Sequence, residues 1–105
     1  MPVDMRIQLP DSLASYTQLL HDFIQLMVMK LHKNSHKDTP SIKDMDKIMD
    51  LLQLEIQEFE EQMRENKFDR NSLVELADQA NFSFLAYVAL SNQGVKDEEK
   101  GSITA

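Results

Sequence analysis

The chain has no cysteine and no tryptophan, and only two glycines and three prolines among its 105 residues. Without cysteine there is neither a disulfide staple nor a thiolate nucleophile, which fits a reducing cytoplasm. With so few residues that interrupt the backbone, and with Leu, Met, Gln, Glu and Lys plentiful, long helices are expected. Positive charge is also scarce: 11 Lys and Arg stand against 18 Asp and Glu, a net charge of −7 at pH 7. A nucleic-acid backbone calls for a basic face, so no nucleic-acid partner is expected. No basic stretch leads into an apolar run at the N-terminus, and polar residues break every apolar stretch well short of a membrane span. The sequence therefore reads as cytoplasmic, with no signal peptide and no membrane partner.

Periodicity divides the chain into three helices. Residues 1–10 form a short arm ending at Pro10, residues 11–93 one helical domain, and residues 94–105 a polar, charged tail. The first helix is expected from Asp11 or Ser12, either of which can cap it, to about Lys33. Leu13, Tyr16, Leu20, Phe23, Ile24, Met27 and Leu31 form its apolar stripe. A polar link follows, closed by Pro40, and Ser41 with Asp44 resembles a capping box. The second helix is expected over 42–66, with Met45, Ile48, Leu52, Ile56, Phe59 and Met63 on one stripe. The third is expected to start at Asn71 or Ser72, to run to about Asn92 and to end at Gly94. It is apolar nearly all round, so burial on several sides is expected. The architecture this implies is all-α: an antiparallel bundle of three helices with short connections, completed by oligomerisation because one small chain cannot cover the third helix.

Two acidic pairs stand out, Glu55 with Glu58 and Glu75 with Asp78, each spaced so that both members share a helix face. At about 100° per residue, Glu55 falls between Ile48 and Leu51 inside the apolar stripe. Asp78 projects among Val74, Phe82 and Leu85, and Glu75 beside Phe82 and Ala86. Burying an unpaired carboxylate costs several kcal/mol, and neighbouring like charges oppose ionisation further. A hard divalent cation with oxygen ligands would compensate; Mg²⁺ also keeps waters and binds phosphates. The plainer alternative is that these are ordinary solvated pairs, as Glu60, Glu61 and Glu65 are expected to be, and that Glu75 completes a capping box with Ser72. No Glu-x-x-His pair is present, so a ferritin-like di-iron site is not expected.

Glu55-Ile-Gln-Glu58, a spacer of sixteen residues, and Glu75-Leu-Ala-Asp78 together resemble the ExxE…ExxD signature of the MazG-like all-α nucleoside triphosphate pyrophosphohydrolases. Glu75-Leu-Ala-Asp78-Gln-Ala-Asn81-Phe82 is similar to the Glu-x-Ala-Asp-x-Ala-Asn-Phe run of one branch of that superfamily. Lys30-Leu-His-Lys-Asn34-Ser-His36-Lys37 resembles the branch's Lys-Leu…Asn-x-His-Lys segment. The resemblance implies hydrolysis of an NTP or dNTP to the monophosphate and pyrophosphate, with water attacking the α-phosphorus. It implies Mg²⁺, with Mn²⁺ as the alternative, held by Glu55, Glu58, Glu75 and Asp78. Glu55 would orient or deprotonate the water, and Lys30, Asn34, His36, Lys37 and Asn81 would meet the substrate. It also implies a homodimer or homotetramer.

The sequence departs from that branch where Asp38-Thr39-Pro40 replaces the usual Gly and Trp after His-Lys, and where Leu54 replaces a Glu before the first motif. These departures carry the alternative expectation, a non-catalytic helical oligomer acting as an interaction or regulatory module. Lys30, Lys33 and Lys37 would then be solvated cations near a helix C-terminus. Asn81 would serve a helix–helix hydrogen bond.

Overall fold

A computed structural model of the protein describes residues 2–33 and 38–93. Helix α1 spans Thr17–Lys33, α2 Met45–Arg64 and α3 Arg70–Ser91, and no strand occurs among the described residues. Short 3₁₀ turns, Asp11–Tyr16 and Ile42–Asp44, lead into α1 and α2. The expected Asp11 or Ser12 cap is not formed. Pro10 holds the N-cap position, no side chain caps the segment, and the chain enters through the tighter 3₁₀ winding instead. At the second helix the Ser41 N–H donates to Asp44 Oδ2 at 2.9 Å, the acidic half of the expected capping box.

The turn between α2 and α3 is built from local polar contacts. Asn66 takes a left-handed conformation with φ 56°, its N–H donates to Met63 O at 3.1 Å, and the Lys67 N–H donates to Gln62 O at 2.9 Å. These two bonds make a Schellman motif with Asn in the position that favours Gly, so α2 stops at Arg64 rather than Asn66. The third helix starts earlier than Asn71 because Asp69 is its cap. Asp69 Oδ1 accepts from the Ser72 N–H at 3.2 Å, and Ser72 Oγ accepts from the Asp69 N–H at 3.4 Å. Since Ser72 belongs to this box, Glu75 is not needed as a capping residue.

Long-range pairs set the topology. Met27 meets Asn81 and Lys30 meets Asp78, so α1 runs antiparallel to α3. Gln62 meets Ser72 and Glu75, and Glu55 interacts with Glu75 and Asp78, so α2 is antiparallel to α3 as well. Helices α1 and α2 are therefore parallel, and among the described residues they have no Cα pair within 8 Å. This corrects, for α1 and α2, the expectation that consecutive helices pack as antiparallel neighbours; the chain enters α2 beside the end of α3, where the Asn92 amide donates to Pro40 O at 2.9 Å. Helix α3 is the central element between two flanking helices.

Close approach at the centre depends on small side chains. Ala77 and Ala89 are fully buried on α3, and Ile48 is the larger buried hydrophobic residue, on α2. Ala77→Leu is expected to overpack this seam and cost about 1–3 kcal/mol, read as a lower urea midpoint at unchanged slope. A wild-type midpoint would mean that the seam is slack.

Candidate metal centre

The packed face of α2 carries Met45, Ile48, Leu52, Phe59 and Met63 of the stripe expected for it, and departs from that stripe at Ile56. Ile56 is 36% exposed, whereas Glu55 and Gln62 are half-buried, as Phe59 is. Glu55 thus points toward α3 from within the packed face. One turn on, Glu58 is exposed at the edge, and Glu75 reaches the same place from α3, half-buried. Ligand oxygens of Glu55, Glu58 and Glu75 all lie within 4.8 Å of one another. The antiparallel α2–α3 register that follows from the tight 65–69 turn produces this convergence.

Asp78 does not join the three. It lies one turn further along α3, with its Oδ1 3.7 Å from Lys30 Nζ on α1. Asn81 is buried, and its Nδ2 donates to Met27 O at 3.0 Å, so this amide ties α1 to α3. Of the other residues expected to meet substrate, Lys30 is at the Asp78 edge of the centre. Asn34, His36 and Lys37 lie outside the described residues, as does Gly94.

Crowding shows in the protonation of the acids. Burial, a hydrogen bond with Glu75 and the charges of Glu58, Glu75 and Asp78 push the Glu55 carboxyl up to about 7. Asp78 is also raised, chiefly by burial, against the pull of Lys30. Glu75 Oε2 is buried without a hydrogen-bond partner among the described residues. Three converging carboxylates, one with an orphaned oxygen, fit a hard divalent cation and offer nothing to a soft one.

Two further residues, outside the sequence motifs, belong to this place. Gln62 and Lys67 line a concavity of about 280 Å³ together with Glu58, Glu61, Glu65 and Glu75. Gln62 follows Glu55 by seven residues and Glu58 by four, a spacing that puts all three on one helix face and is the signal the sequence offers for it. A wider groove of about 630 Å³ lies elsewhere, between the arm and α1, with Met5, Ile7, Leu20, Ile24 and Val28 along it. It contains no acidic residue, and the convergence of titratable groups, not size, marks the candidate centre.

A pH dependence follows. The folded chain protonates Glu55 near 7, while an unfolded carboxyl does so near 4.5. Between these values the folded state binds more protons, so metal-free stability is expected to fall as pH rises from about 4.5 to about 7. Asp78, also raised, adds to the same trend. Thermal melting in chelator across this range checks the sign, and Glu55→Gln should flatten the profile. A parent profile as flat as that of the variant would place Glu55 in water.

Among the described residues no helix is long and apolar enough to cross a membrane. No protein-family model, no curated protein and no solved structure matches the chain.

Proposed function

We propose that the chain is a divalent-cation-dependent nucleoside triphosphate pyrophosphohydrolase of the MazG-like kind, working as a homo-oligomer. The observation that carries this reading is the convergence of Glu55, Glu58 and Glu75 from two antiparallel helices. It joins the two motifs on which the family resemblance rests. Glu55, Glu58 and Glu75 would hold Mg²⁺ or Mn²⁺, which when bound neutralises phosphate charge and makes a water more acidic. Glu55 would orient or deprotonate the attacking water. Lys30, its Nζ 3.7 Å from Asp78 Oδ1, would supply a cation to phosphate oxygens. A bond forms from the water oxygen to the α-phosphorus and the bond from that phosphorus to the bridging oxygen breaks, leaving monophosphate and pyrophosphate.

The homo-oligomer is supported by what the single chain leaves uncovered. Its buried hydrophobic residues among those described are Ile48, Ala77 and Ala89, and no large side chain among them is fully buried. The concavity at the acids, about 280 Å³, is also small for a whole nucleotide. The alternative, a non-catalytic helical oligomer, is favoured by one observation: Lys30 already engages Asp78, the fourth acid of the motif.

A pyrophosphate-release screen over common and modified NTPs and dNTPs, with Mg²⁺ and then Mn²⁺, tests the reading. Metal-dependent release is expected for at least one of them, with oxygen from isotopically labelled water appearing in the monophosphate. No release from any nucleotide with either metal would leave the scaffold alternative standing. Label in pyrophosphate would move the attack away from the α-phosphorus.

A further inference from the structure

Beside the acidic trio lies a hydrogen-bond chain that the motif does not contain. Gln62 Nε2 donates to Glu75 Oε1 at 3.2 Å, and Ser72 Oγ lies 3.0 Å from Gln62 Oε1. A carboxylate only accepts, so the NH₂ end of the amide must face Glu75 and its carbonyl must face Ser72. Ser72 is itself held by the α3 cap through Asp69, and its one O–H proton is divided between Gln62 Oε1 and the Lys67 carbonyl, both of which only accept. The orientation of the amide is therefore set by Glu75 and braced from the turn through Ser72. The consequence falls on Glu75. One oxygen is occupied by a neutral donor, and the other, Oε2, is buried with no neutral donor on it among the described residues; the further hydrogen bond of this carboxylate is the proton it shares with Glu55, which a bound cation would replace. A carboxylate restrained at one oxygen and open at the other is prepared to bind through the open one, and ligating carboxylates are characteristically hydrogen-bonded in this way.

We propose that Gln62 is the positioning residue of the centre: its amide, braced by Ser72, restrains Glu75 through Oε1 so that Oε2 is presented to a divalent cation beside Glu55 and Glu58. This rests on reading the acidic trio as a cation site. Gln62 is neutral and adds no charge to a cluster that already repels itself, whereas a Lys or Arg there would neutralise Glu75 and compete with the metal. The amide orders the ligand without weakening its charge.

The test uses Mn²⁺ alone, with the full chain and no nucleotide, following the spectrum of free aqueous Mn²⁺ by electron paramagnetic resonance. Gln62→Met keeps the length and volume of the side chain and removes donor and acceptor. Gln62→His keeps one of each, because neutral imidazole both donates and accepts. The methionine variant is expected to keep its helical circular dichroism and its stoichiometry, and to bind Mn²⁺ about 10- to 100-fold more weakly, the range for losing an outer-shell partner. The histidine variant is expected to recover most of that loss. Binding by the methionine variant within about twofold of the parent would overturn the positioning role while leaving the cation site intact, being far below the loss expected for such a partner. Equal weakening in both variants would assign the effect to packing and overturn it too. A parent that binds no Mn²⁺ would remove the cation site itself, and the proposal with it.

Discussion

Glu58→Gln is expected to abolish metal-dependent hydrolysis and leave the fold standing. Glu58 is the exposed member of the trio, so the substitution leaves no hole and strands no buried partner. A neutral amide is a poor ligand for a hard cation, and replacing a direct ligand should cost more than the roughly 100-fold that an outer-shell partner is worth. Metal-free stability should hold or rise, because one charge leaves a cluster whose mutual repulsion helps to push Glu55 up to about 7. Stabilisation by Mg²⁺ should shrink, since a ligand that binds only the native state stabilises it in proportion to its affinity. Four melting curves, parent and variant with and without Mg²⁺, decide the matter without knowledge of the substrate. If Glu58 is merely solvated, its replacement should change stability by no more than about 0.5 kcal/mol and leave the Mg²⁺ response untouched. An identical Mg²⁺ response in both proteins would take Glu58 out of the site.

The second large effect is on assembly. On α3, Leu73, Leu76, Phe84, Tyr87 and Leu90 are 37–67% exposed in the single chain. At about 100° per residue they share one arc of the helix, opposite the arc of Asp78, Phe82 and Ala89, which is buried or half-buried. An exposed apolar stripe with aromatic anchors is the composition of an interface centre rather than of a solvated face. Phe84→Glu combined with Tyr87→Glu is expected to convert an oligomer into a monomer. Each aromatic anchor at such a centre is worth on the order of 2 kcal/mol or more, so the pair should raise the dissociation constant about a thousandfold. Size-exclusion chromatography with light scattering reads the result. A parent already monomeric, or a variant with unchanged mass, would mean that this face meets something other than a second copy.

The helices themselves are legible in the amino-acid sequence. Apolar residues at spacings of three and four, few glycines and prolines, the polar link at 34–41 and the short turn at 68–71 mark three helices, with the first entered through a 3₁₀ segment over Asp11–Tyr16. The differences are local. Asp69 outcompetes Asn71 and Ser72 as the cap because its carboxylate and the Ser72 hydroxyl satisfy each other's backbone N–H groups, a reciprocity that residue type alone does not reveal. The α2 stripe departs from its periodicity at Ile56 because a hydrophobic residue can sit at the rim while a carboxylate and an amide occupy the packed face.

Helical class, acidic balance and the two carboxylate pairs are properties of the sequence alone, since they follow from composition and from the fixed geometry of one helix. The sequence also marks Glu55 as misplaced for a solvated residue, because a wheel shows an acid among apolar neighbours. Which acids meet is a matter of tertiary structure. Helical spacing relates residues on one helix and says nothing about register between two. That register comes from the Asp69 cap and the Asn66 turn, which align α2 against α3 so that Glu55, Glu58 and Glu75 converge. The placement of α1 on the other side of α3 gives Asp78 a lysine partner instead. Gln62 likewise gains its contacts only when Ser72 and Glu75 arrive from the next helix. A hydrogen-bond chain across two helices exists in space and has no period in sequence.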